Sequence, residues 1–133
     1  MSRLLLIAPE ASYHTAPFRA AGRRLDVEIM VASEGCFPVV PAESVGLRVD
    51  FSDLSRSLKL IQTLYEKTPF DGVIGTDDGV LEFSAIVAKR FGLRANPPSS
   101  TKSSRRKDHC RIVQRKFGLK TVSYTHLTLP TKA

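Results

Sequence analysis

The stretch Phe70–Gly79, F-D-G-V-I-G-T-D-D-G, constrains the chain more than any other. Gly72-Val73-Ile74-Gly75 is a short apolar run bounded by glycines, the pattern of a strand buried on both faces of a parallel sheet. Thr76, Asp77 and Asp78 then fall at its carboxyl end, where open α/β sheets keep their ligand crevice. Val80, Phe83, Val87 and Phe91 follow at helical spacing. The polar residues thus mark the junction of a buried strand and a packed helix. Two readings of Asp77 and Asp78 compete. Either one caps the helix and both favour its positive end, or they contact a ligand.

The rest of the chain supplies neighbours for that unit. Arg3–Ala8 reads as a buried first strand ended by Pro9, and Ala16–Leu25 as a helix with Pro17 in its first turn and Phe18, Ala21 and Leu25 on one face. Gly22 is its weak point, at about 1 kcal/mol relative to Ala. Val27–Ala32 is a second strand. Cys36–Gly46 reads as loop, and Leu47–Phe51 alternates as a short edge strand. Ser52 or Asp53 can cap a helix running through Lys67, with Leu54, Leu58, Ile61 and Tyr65 on one face. The helix after Asp78 ends near Gly92, a left-handed cap. Leu93-Arg94-Ala95 returns as a short strand before Asn96-Pro97-Pro98 breaks regular structure. Ser99–Lys107 is polar and weakly specified, and Asp108–Phe117 is helical, closed by Gly118. This β-α-β-(β)-α-β-α-β order predicts a three-layer α/β domain of Rossmann-like shape with a mostly parallel sheet. No G-x-G-x-x-G follows the first strand, so the dinucleotide fingerprint is missing.

The net charge of +7 is concentrated. Residues 1–101 hold 11 Lys/Arg against 12 Asp/Glu, whereas 102–120 hold 8 basic side chains against Asp108 alone. Basicity therefore belongs to one segment and does not describe a general nucleic-acid-binding surface. No apolar run approaches the roughly 20 residues of a membrane span, and Leu4–Ala8 is too short for a signal-peptide core. Cys36 and Cys110 lack metal-ligand spacing and read as cytosolic thiols. A cytoplasmic protein is the expectation. Val122–Lys132, V-S-Y-T-H-L-T-L-P-T-K, alternates like a small strand, but it also resembles the translation of a transposon-type sequencing adapter. On that reading 122–133 is a non-native tail, His126 has no function, and the natural sequence is cut near Thr121.

The most specific signal begins at Gly92: G-L-R-A-N-P-P, then Lys107, Arg111 four residues on, and Gly118 eleven after the lysine. Here the sequence resembles the ATP-grasp superfamily, at the junction between its pre-ATP-grasp domain and its ATP-binding part. The opening L-L-L-I-A-P-E, the strand ending V-A-S-E and the F-D-G-V-I-G-T-D-D turn look like the same family, so the resemblance covers roughly residues 3–121. It departs at one point: the family usually has Asp or Asn directly before the lysine, and here Arg106 precedes Lys107 and Asp108 follows it. Independently of the family, an ammonium at a helix start joins free N–H groups in a setting that suits phosphate. The bland alternative is a solvated basic face, which is how Arg115 and Lys116 are read.

The resemblance implies residues 1–96 as a pre-ATP-grasp domain and 97–121 as linker and first helix of the ATP-binding part. It implies an amino-terminal fragment of an ATP-dependent ligase, which activates a carboxylate as an acylphosphate for attack by an amine or thiol. Lys107 and Arg111 would contact ATP, and Glu10, Glu34, Thr76, Asp77 and Asp78 would line the substrate. ATP and Mg²⁺ would act in the full-length parent, with no catalysis by the fragment alone. The expected partners are the missing carboxyl-terminal ATP-grasp domain and a small-molecule carboxylate, with no membrane and no nucleic acid. Ser12, Tyr13 and His14 follow the first strand and could face the crevice, although His14 has no evident partner in the sequence. Two other readings stand beside the ligase. One is the Rossmann-like amino-terminal half of a glycosyltransferase. The other is a stand-alone basic α/β module docking nucleic acid, which the near absence of aromatics in 102–120 disfavours.

Overall fold

Four strands pair in the order β3-β2-β1-β4, all parallel, in a computed structural model that describes residues 2–10, 12, 14–34 and 46–121. The strands are β1 (Ser2–Ala8), β2 (Val27–Ser33), β3 (Gly46–Arg48) and β4 (Gly72–Gly75). The helices are α1 (Thr15–Leu25), α2 (Leu54–Lys67), α3 (Leu81–Arg90), α4 (Pro98–Arg105) and α5 (Lys107–Lys116), with a 3-10 turn at Asp78–Val80 ahead of α3. Tyr13, Gly35, the predicted Cys36–Gly46 loop as far as residue 45, and the 122–133 tail lie outside the described residues.

The central strand explains the layering. Leu5, Leu6, Ile7 and Ala8 are all buried, so β1 is covered on both faces, as a continuous apolar run in a parallel sheet requires. Leu5 and Ile7 share a face with Met30 and Ala32, and α2 and α3 pack there through Ile61, Phe83 and Val87. On the other face α1 lies against β2, where a side chain on Gly22 would meet Ile29, the cross-strand partner of Leu4. The result is the expected α/β/α sandwich. Tyr65, Phe70 and Phe91 close one end of the core, with ring centroids 4.6–5.5 Å apart.

Local signals account for the boundaries. Asp53 caps α2, its carboxylate accepting from the Arg56 N–H at 3.1 Å. The loop before α2 is fixed by Ser57, which is fully buried; its hydroxyl donates to the Asp50 carbonyl at 2.6 Å and accepts from the Asp50 N–H at 3.1 Å. Gly92 and Gly118 take positive φ after α3 and α5, as left-handed helix ends.

Three expectations need correcting. Leu93–Ala95 is not a strand: the Leu93 N–H bonds back to the Ala88 carbonyl at 2.9 Å and its side chain packs on the core, while Arg94, Ala95 and Asn96 are exposed. The segment is used up in terminating α3. Ser99–Lys107, weakly specified in sequence, contains all of α4 but Pro98, and the first residue of α5. Pro98 occupies the first turn of α4, where a missing N–H costs nothing. The hydroxyls of Ser100, Thr101 and Ser104 fold back onto backbone carbonyls. The edge strand β3 is also shorter than predicted, although Val49 and Phe51 turn inward as the alternation requires.

Candidate functional site at the end of strands β1 and β4

Chain direction defines the site. From β1 the chain leaves through α1 toward β2; β4 lies on the other side of β1 and continues into α3. Neighbouring strands whose connections run opposite ways leave a crevice at their carboxyl ends. The register continues one residue past β4, with the Thr76 N–H donating to the Ile7 carbonyl at 3.0 Å. This brings Thr76 and Asp77 beside the loop that follows β1.

That loop is preorganised. The Ser12 N–H donates to the Pro9 carbonyl at 3.2 Å, and the Ser12 hydroxyl accepts from the His14 N–H at 3.3 Å, a hydroxyl-centred turn. The Phe18 N–H then reaches the His14 carbonyl at 3.2 Å and starts α1. Asp77 is the hub between the loops. Its Oδ2 accepts from the Thr76 hydroxyl at 2.5 Å and the Ser12 hydroxyl at 2.9 Å, and its Oδ1 lies 3.2 Å from His14 Nδ1. The Thr76 bond foremost and then the Ser12 bond, with a lesser share from the His14 contact, hold the Asp77 carboxyl below its ordinary range against the opposing effect of desolvation. Asp77 is therefore an ionised carboxylate at neutral pH.

Asp77 occupies the position before the 3-10 turn, and its backbone carbonyl accepts from the Val80 N–H at 3.0 Å. Its side chain makes no capping bond and turns across to the β1 loop. Asp78 and Glu10 are exposed at the same strand ends. Glu34 ends β2, but its carboxylate accepts from the Phe51 N–H at 2.8 Å, on the side of β2 away from β4. Of the expected substrate residues, the structure thus joins Thr76 and Asp77 directly and puts Glu34 to bracing a loop. Ser12 and His14 complete the cluster. Their place after β1 was the only sequence signal for them.

Lys107 and Arg111 form a second group. Lys107 is exposed at the first position of α5, and Arg111 is half-buried one turn on. Arg106 precedes α5 in extended conformation with no side-chain cap, and its guanidinium pairs with Asp108 at 2.8 Å. Within that first turn the Asp108 carboxylate accepts from the His109 N–H. Among the described residues no three His, Cys, Asp or Glu side chains converge as a metal site. No helix among them is long and apolar enough to cross a membrane.

No protein-family model and no curated protein matches the sequence. Among solved structures, the chain is similar to the crystal structure of an L-amino acid ligase from Bacillus licheniformis. The TM-score is 0.79 at 20% identity, over 100% of this chain and 35% of that one. A mutated uronate dehydrogenase is similar at a TM-score of 0.46 and 16% identity, over 71% of this chain and 38% of that one, a likeness too weak to carry argument. The chain shares the fold of part of the ligase and spans about a third of its length.

Proposed function

We propose that the chain is the substrate-lining amino-terminal part of an ATP-dependent ligase of the ATP-grasp type. Residues 1–96 form its pre-ATP-grasp domain and 97–121 open the ATP-binding part. The parent enzyme uses ATP to convert a carboxylate to an acylphosphate, and an amine then attacks the acyl carbon with loss of phosphate. The observation that carries this reading is the fold likeness of this whole chain to about a third of a ligase, with the Ser12–His14–Thr76–Asp77 cluster at the strand ends, where open α/β sheets meet their ligands.

Within that reading the two groups divide the work. Asp77, Thr76 and the exposed Glu10 and Asp78 line the substrate side. Lys107 and Arg111 meet the phosphates of ATP, as a charge-assisted contact at a helix start. Mg²⁺ would neutralise phosphate charge in the parent enzyme; among the described residues no three His, Cys, Asp or Glu side chains converge to hold it. The surface of α5 supports continuation into a larger body. The helix buries no residue, and Ile112, Val113, Phe117 and Leu119 are exposed on it and just after it. The protein acts in the cytoplasm, where ATP is available.

The test is ADP release by the whole reading frame that carries this chain. With Mg²⁺ and ATP, release should require both a carboxylate and an amine, and the 133-residue chain alone should give none. ADP release independent of any carboxylate by the parent, or turnover by the short chain, would refute the reading.

A further inference from the structure

A cavity of about 320 Å³ lies where the end of α3 meets the Asn96-Pro97-Pro98 segment. That volume falls in the range of sites for small organic molecules. We propose that it binds a small monocarboxylate with an apolar body, held by Lys89 and Asn96. The proposal is independent of the ligase reading. None of Ser12, His14, Thr76 or Asp77 lines the cavity. Lys89 stands eight residues along α3 from Leu81, roughly 12 Å from the helix end that faces the strand-end cluster.

The way α3 stops creates the cavity wall. The N–H groups of Phe91, Gly92 and Leu93 turn back onto the carbonyls of Val87, Lys89 and Ala88. Leu93 is thereby held against the core, and the chain leaves through two prolines into α4. Ala85 is buried, and Leu93 and Pro98 are half-buried. With Pro97 they give the cavity an apolar wall. Each proline ring fixes its own φ, so little backbone freedom remains to be lost on binding.

The polar groups set the chemistry of the ligand. Among the described residues, Lys89 is the only charged side chain that lines the cavity, and Asn96 the only carboxamide. Both are exposed and so belong to its rim. A lysine in the last turn of a helix ordinarily serves the helix dipole. Here the carbonyls of Val87, Ala88 and Lys89 already accept from backbone N–H groups. Among the described residues the Lys89 ammonium makes no ion pair, and no hydrogen bond joins it or the Asn96 carboxamide to another group. One ammonium and one amide N–H match the two oxygens of a carboxylate. A phosphate would bring further negative charge that this wall does not balance. A neutral ligand would gain nothing from Lys89.

Benzoate is the probe, and benzamide presents the same ring without the charge. Each is titrated into the 133-residue chain while its backbone amide resonances are followed by NMR. Benzoate should give saturable shifts centred on Ala85, Lys89, Leu93 and Asn96, with a dissociation constant of about millimolar order, as a probe of so few atoms allows. Benzamide should bind more weakly. Lys89→Gln should weaken benzoate about three- to five-fold, the loss of one solvent-exposed charge contact. Asn96→Asp, which sets a carboxylate in the rim, should weaken it further. Lys116→Gln removes one charge from α5 and should leave binding unchanged. All three replace exposed side chains, and amide resonances outside the cavity that match wild type show that the fold is kept. Shifts that never saturate, shifts spread over α5, benzamide binding as tightly as benzoate, or unchanged affinity in both Lys89→Gln and Asn96→Asp would each overturn the proposal. Shifts at the same amides that follow protein concentration without any probe would give the cavity to a second copy of the chain and overturn it likewise. None of these results bears on ADP release by the parent, which tests the ligase reading separately.

Discussion

Replacing Gly22 by alanine sets two effects of opposite sign against each other. Helix propensity alone favours Ala over Gly in a helix interior by about 1 kcal/mol. Packing opposes it. A Cβ on Gly22 would lie 2.6 Å from Ile29 Cγ1 and 2.8 Å from the Val27 carbonyl oxygen. Ile29 can yield by turning its side chain. The Val27 carbonyl cannot, because it belongs to β2, whose ladder with β1 begins at that residue. Relief requires α1 to lift from the sheet. Overpacking against backbone costs about 2–3 kcal/mol, which exceeds the ~1 kcal/mol propensity gain and leaves a net loss of roughly 1–2 kcal/mol. With a urea m-value of about 2 kcal/mol/M for a domain of this size, the midpoint should fall by roughly 0.5–1 M. Gly79→Ala is the control, since nothing lies within 4 Å of a Cβ there, and its effect should stay within about 0.5 kcal/mol. A Gly22→Ala midpoint equal to or above wild type would refute the close seating of α1 on β2.

Ser57→Ala removes a buried hydroxyl that serves both the N–H and the carbonyl of Asp50, and chemical denaturation should show a loss of about 1–3 kcal/mol. Asp77→Asn should destabilise at pH 6. The folded carboxyl of Asp77 is lowered, so its contribution is present above the unfolded value of about 3.9 and lost as pH falls through the folded value; wild type and variant should therefore converge in acid-titration melts below about pH 4. In the parent enzyme, Lys107→Ala should weaken ATP binding by about 1.5–3 kcal/mol while Lys116→Ala, at the last position of α5, costs under about 1 kcal/mol; calorimetry at fixed salt and magnesium distinguishes a placed lysine from a general basic field.

The parallel sheet was legible because its strands obey simple rules. Leu4–Ala8, Met30–Ala32 and Gly72–Gly75 are short and apolar, and helices with clear periodicity separate them. The polar helix α4 was not legible. It has no apolar stripe, and its serine and threonine hydroxyls bond its own backbone, a pattern that reads as loop when only composition is seen. Leu93–Ala95 misled in the opposite way: its leucine is apolar because it packs behind a helix cap, not because it pairs in a sheet. At the site, Thr76 and Asp77 could be placed from their position after β4. The pairing of Asp77 with Ser12 and His14 could not, since it depends on the β1–β4 register and on a turn built around one hydroxyl. That register placed two loops together that lie far apart in sequence.

The central claim is that this fold belongs to an enzyme that activates a carboxylate through an acylphosphate. Oxygen-isotope transfer measures that chemistry directly. The whole reading frame is supplied with ATP, Mg²⁺, an amine and a carboxylate labelled with ¹⁸O in both oxygens, and the released phosphate is analysed by mass. Attack of a carboxylate oxygen on the γ-phosphorus followed by cleavage of the acyl C–O bond predicts transfer of a single labelled oxygen to each phosphate, with ADP as the other nucleotide product. Unlabelled phosphate, or label recovered in AMP, would contradict the account.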